Sequence, residues 1–118
     1  MLIIDNNKRY RRIMSESERN KILCDKFIPA SSSDNWKPIY NPDTVVFLFD
    51  LHFADKVRLK QVRQLHYENY GETWTLEFDA DIPTEGDASQ SGWPGAVVHR
   101  GPIDLALLKN LVWRKFNP

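Results

Sequence analysis

Apolar and polar residues alternate most clearly between residues 57 and 82. Pairing residues whose numbers add to a constant sets Tyr67 against Trp74, Leu65 against Leu76, Arg63 against Phe78, Gln61 against Ala80 and Leu59 against Ile82. All five pairs share one face, because strand side chains alternate with period two. Glu68, His66, Gln64 and Lys60 then share the other face with Thr73, Thr75, Glu77 and Asp81. The pattern predicts one long β-hairpin with Gly71 at its tip, where a positive φ suits glycine. A helix over residues 54–70 is the alternative. It leaves Val57, Leu59, Val62 and Leu65 without a common stripe, so the strand is preferred.

Residues 44–53 form the densest apolar run, rich in β-branched and aromatic side chains, and predict a central strand. Joined to the hairpin, this strand gives an antiparallel meander. Residues 2–4 and 9–14 read as two short strands, and residues 96–99 as another. Ser15 followed by Glu18 has capping-box spacing and predicts a short helix from Glu16 to Lys26, with Ile22, Leu23 and Phe27 on its apolar face and Pro29 as its stop. Residues 83–95 predict a long polar loop. Pro102 suits the first turn of a helix. A helix over residues 103–116 follows, apolar around most of its circumference. Leu105, Trp113 and Phe116 lie away from Leu107 and Leu111 on that wheel, so the helix is expected to cover one sheet face and to offer a homodimer surface. The expectation is a single α+β domain over residues 1–118, a mainly antiparallel sheet with a C-terminal helix on one face and a short N-terminal helix beside it.

With 118 residues, 42% of them hydrophobic, the chain has enough apolar material for one core. Formal net charge is zero, so nothing draws the whole chain towards nucleic acid or anionic membrane. No apolar run approaches the ~20 residues that cross a bilayer. The N-terminus lacks the apolar stretch of a signal peptide. A single cysteine, Cys24, forms no internal disulfide and fits a cytoplasmic setting. It falls beside Leu23 on the first helix, where a buried, inert thiol is expected.

Charge is nonetheless segregated. Glu72, Glu77, Asp79, Asp81, Glu85 and Asp87 follow one another with no Lys or Arg between them, and Trp93 closes the run. Solvent-facing carboxylates beside an amphipathic indole suggest a surface for another protein with a basic face. That reading, a small non-catalytic interaction module of inhibitor, immunity or adaptor type, is the leading functional expectation. Arg9, Tyr10, Arg11 and Arg12 offer cations with an aromatic ring, the ingredients of a nucleic-acid contact, and carry the alternative. The plainer expectation is a solvated strand or helix edge, for which the acidic run of the same molecule is one available partner. A small enzyme or nucleotide-binding protein is a third class, and no cofactor is indicated. Asp50 and His52 share a strand face, but His52, His66 and His99 show no metal-ligand spacing. Phosphate-loop, dinucleotide and HExxH motifs do not occur.

Asp87-Ala88-Ser89-Gln90-Ser91-Gly92 resembles the Asp-x-Ser-x-x-Gly pattern of PilZ domains, which implies binding of cyclic di-GMP. The resemblance covers these six residues. The family's paired arginines have no counterpart next to them, since the nearest basic cluster is Lys8 to Arg12, with Lys8 in the first arginine's place.

Overall fold

A computed structural model describes residues 7–30, 45–86 and 95–118. The chain runs β1 (Lys8–Ser15), α1 (Glu16–Asp25), β2 (Phe27–Ile28), β3 (Val45–Asp50), α2 (Lys56–Tyr70), β4 (Thr73–Ala80), β5 (Glu85–Gly86), β6 (Ala96–Arg100), β7 (Ile103–Asp104) and β8 (Lys109–Lys115), with a 3₁₀ turn at Leu105–Leu107. Six strands form one sheet in the order β5-β6-β3-β1-β4-β8, and β2 pairs with β7 in a second, two-stranded sheet. Every pairing is antiparallel. The fold is therefore α+β with an antiparallel sheet, as the pattern predicts. Its connections differ from those predicted.

β1 sits in the middle. Tyr10, Arg12 and Met14 point to one face, against Phe78, Leu76 and Trp74 of β4. This first face carries the main core: Tyr10, Met14, Val46, Leu48, Leu76 and Phe78, closed by Ile22 of α1, Ile28, Ile103 and Leu108. The second face carries Arg9, Arg11, Ile13 and Ser15 against Asp79, Glu77, Thr75 and Thr73. α2 covers it, since His66 meets Thr73 and the Arg63 and Tyr67 side chains reach Phe116 beyond β8.

Ser15 caps α1 by accepting the Glu18 N–H at 3.3 Å, as its spacing predicts. The Glu18 carboxylate instead grips Arg12, at 2.7 Å to Nε and 2.6 Å to Nη2. Arg12 Nη1 donates to the Phe47 carbonyl at 2.9 Å, so one 5%-exposed arginine joins β1, α1 and β3. Lys26, at φ 64°, ends the helix before Pro29 is reached. Cys24 is exposed rather than buried.

The predicted hairpin over residues 57–82 is overturned in its first arm. Asp55 Oδ1 accepts the N–H groups of Val57 at 2.8 Å and Arg58 at 3.3 Å, which starts α2. Gly71, at φ 82°, ends it, its N–H bonding the Tyr67 carbonyl. The inward positions are Leu59, Val62, Arg63 and His66, spaced i, i+3, i+4, i+7. Two of these four are polar, which hides the stripe from an apolar count. Only the second arm, β4, is a strand, and β1 lies between it and β3 in place of the predicted meander. β3 and β4 are both antiparallel to β1 and hence parallel to each other, as a strand–helix–strand crossover requires.

The helix predicted over residues 103–116 is also overturned. Asp104 Oδ1 accepts the Ala106 N–H at 2.9 Å and caps a single turn, which Leu108 leaves in extended geometry. Asn110, at φ 53°, makes a bulge where β8 shifts register against β4 between Glu77 and Asp79. The remaining apolar residues then alternate across a strand. The sheet is covered on both faces, by α1 with β2 and β7 on one and by α2 on the other. The dimer surface predicted on a C-terminal helix has no helix to carry it.

Candidate interaction site

Most of the acidic run is engaged within the chain. Arg11 Nε donates to Glu77 Oε1 at 2.9 Å, and Glu77 is 8% exposed under α2, not on a solvent face. Arg9 reaches Asp79 at 3.0 Å and Glu77 at 3.6 Å. Hydrogen bonds from Asn110 and then Arg9 hold the Asp79 carboxyl below its ordinary value. Arg100 pairs with Glu85 at 2.7 Å and lowers its pKa. Glu72 pairs with Lys115 and shares a hydrogen bond with Glu16, which raises the Glu16 carboxyl and lowers that of Glu72. Asp81 is exposed. Asp87, Trp93 and the PilZ-like run lie outside the described residues.

The basic segment is similarly absorbed. Tyr10, 1% exposed, packs against Phe78 with ring centroids 5.9 Å apart. Arg12 belongs to Glu18, and Arg9 and Arg11 belong to the acidic strand. The four residues do not form one outward surface. The histidines are dispersed. His52 lies edge-on to Phe53, His66 bonds Thr73 and His99 bonds the Gly101 carbonyl. Among the described residues no three His, Cys, Asp or Glu side chains gather to hold a metal.

What remains is the β4–β8 end of the sheet. β8 is an outer strand, and among the described residues no strand lies beyond it. The Phe116 N–H bonds the Thr73 carbonyl at 2.8 Å, and these two residues fall directly opposite in the β4–β8 register. In an antiparallel ladder the inward-bonding residues alternate. Val112, Arg114 and Phe116 therefore turn their backbone groups to β4, and Leu111, Trp113 and Lys115 turn theirs outward.

Guanidinium groups flank this edge on both faces. On the second face Arg63 lies over the Phe116 ring, 5.6 Å from its centroid. Burial, then the charge of Arg11 and of Arg114 against the pull of Glu77, keeps its pKa below the ordinary arginine value. On the first face Arg19 lies 4.0 Å from the Trp74 ring centroid and 5.9 Å from that of Trp113. The Nε atoms of Arg63 and Arg19 and the indole nitrogen of Trp74 are buried with no hydrogen-bond acceptor among the described residues.

The chain was compared with protein-family models, with curated proteins and with solved structures. None of the three gives a match. The reading of this site rests on its own geometry.

Arg63, Arg114 and Arg19 were not singled out as site residues by sequence reasoning, and Trp113 only as part of a dimer surface on a helix. The sequence of β8 carries no polar–apolar alternation to read, since Leu111, Trp113 and Lys115 on one face and Val112, Arg114 and Phe116 on the other each mix apolar with basic residues. Nothing local points to Arg63, which α2 brings to β8 from far along the chain.

Among the described residues no helix is long and apolar enough to cross a membrane.

Proposed function

We propose that this protein is a non-catalytic interaction module that accepts an extended segment of another protein as an added strand on the outer edge of β8. The observation that carries the reading is the open edge itself, with the N–H and C=O groups of Leu111, Trp113 and Lys115 facing outward. Backbone groups of this kind give affinity in strand addition, and neighbouring side chains give selectivity. β8 runs for seven residues, and from Val112 to Lys115 it continues regularly past the bulge at Asn110 that blunts its start. The acidic run remains a second surface for a basic partner, but Glu72, Glu77, Asp79 and Glu85 already hold cations of the same chain, which turns the reading towards β8.

Peptides selected from a displayed random library test it. Bound peptides are expected to slow amide hydrogen exchange at Leu111, Trp113 and Lys115. Lys115→Pro removes one outward N–H without removing a ladder bond, and is expected to abolish binding where Lys115→Ala does not. Selected peptides that leave these three amides unprotected would refute strand addition.

A further inference from the structure

We infer that the strand accepted by β8 is acidic, with Asp or Glu on the side facing Arg63 and Arg114 and apolar residues facing Leu111 and Trp113. The inference rests on strand addition at β8 and adds the chemistry of the partner. An added strand lies ~4.8 Å from β8, and its side chains alternate in step with those of β8. On the second face its side chains stand beside Arg114 and Phe116. There Arg63 lies over the Phe116 ring, 5.6 Å from its centroid, and Arg114 stands on the same face of β8 two residues before Phe116. Glu77, the buried carboxylate on this face of β4, is already gripped by Arg11 and approached by Arg9. Among the described residues neither Arg63 nor Arg114 has an ion-pair partner.

The polar groups at this end of the sheet lack acceptors, not donors. Of the three buried N–H groups without an acceptor among the described residues, Arg63 Nε lies on the second face beside Phe116, while Arg19 Nε and Trp74 Nε1 lie on the first. A carboxylate supplies what the guanidiniums of Arg63 and Arg114 lack, and charge-assisted bonds to arginine are the strong ones. A second copy of this chain does not supply it. β8 carries Lys109, Arg114 and Lys115 with no acid, so two copies would pair positive with positive. A nucleic-acid backbone offers oxygens for the arginines, but it has no donors for the outward carbonyls of Leu111, Trp113 and Lys115.

The probes are a blocked Val-Glu-Val-Glu-Val-Glu peptide, its Gln counterpart and single-stranded oligodeoxythymidine, followed by fluorescence anisotropy. The Glu peptide is expected to bind about tenfold more tightly than the Gln peptide at low salt, with the ratio falling as salt rises. Arg63→Gln and Arg114→Gln, each checked for an unchanged thermal midpoint, are expected to reduce the ratio to near one. Amide protection at Leu111, Trp113 and Lys115 should survive in both variants. Equal binding of the two peptides with those amides protected overturns the acidic preference and leaves strand addition standing. Peptide binding that leaves those amides unprotected, or no binding of either peptide, overturns both. Tighter binding of the oligonucleotide, or a dimer through β8 in sedimentation, overturns the acidic-peptide assignment.

Discussion

Arg11 and Glu77 stand directly opposite each other on β1 and β4, and the guanidinium of one donates to the carboxylate of the other at 2.9 Å. Arg9 and Asp79 repeat the arrangement two residues along at 3.0 Å. The most basic segment and the most acidic strand are thus partners in one ladder. Glu77→Gln is expected to destabilise the protein by about 2–3 kcal/mol, because it leaves the Arg11 guanidinium without its counter-ion beneath α2. Urea unfolding measures this, and Arg11→Gln added to the same chain is expected to restore part of the loss.

Arg12 and Glu18 give a second comparison. Ser15→Ala removes only the cap of α1 and is expected to cost about 1 kcal/mol. Glu18→Gln removes the counter-ion of an arginine that is 5% exposed, and is expected to cost more, about 2–4 kcal/mol. Equal losses in thermal unfolding would assign Glu18 to capping alone.

His66 makes stability depend on pH. Its imidazole hydrogen-bonds Thr73 at 2.7 Å, and burial first, then Arg12, hold its pKa below the ordinary 6.5, with Glu18 opposing. A depressed folded value means that the unfolded chain takes up the proton first as pH falls. The stabilisation is complete above about pH 6.5 and is lost as pH falls from there towards the folded value. His66→Gln is expected to lose less stability than the wild type between pH 7 and pH 5. Parallel curves of thermal midpoint against pH would remove His66 from the account.

Gly95 and Gly101 separate two costs of adding a side chain. Both have positive φ, at 82° and 81°. A Cβ on Gly101 meets nothing within 4 Å, whereas one on Gly95 falls 2.8 Å from the Ala54 backbone. Gly101→Ala is expected to cost about 1–2 kcal/mol from backbone strain alone. Gly95→Ala must also displace the segment entering α2, so calorimetry should show the larger loss.

The parts legible in the sequence are those decided locally. Ser15 announces α1, and the β-branched and aromatic run around Val45 announces β3. α2 was illegible because a stripe containing Arg63 and His66 does not count as apolar. Those residues face inward only because Thr73 and Phe116 are there to meet them. The same blindness misread the C-terminus, where apolar residues on every side suited a helix as well as a strand lying between α1 and α2. The acidic and basic runs were visible as runs. That they could pair was visible too, but not which residues meet, because the register that brings Arg11 to Glu77 joins residues 66 positions apart. The candidate site was least legible of all, since it is assembled from α1, α2 and β8.

The central position of β1 also dictates an order of events at the ribosome. Of the described strands, the one synthesised first must gain neighbours on both edges from strands synthesised later. Its register with β4 runs from Ser15 opposite Thr73 to Lys8 opposite Ala80. Tyr10 and Met14 therefore wait, without their native cover, until β4 has emerged. Pairings so distant along the chain form slowly and lengthen the exposure of apolar surface. The nascent protein is most vulnerable to misassembly in the interval after β3 appears and before β4 does, and a chain arrested in that interval is the form a chaperone would meet.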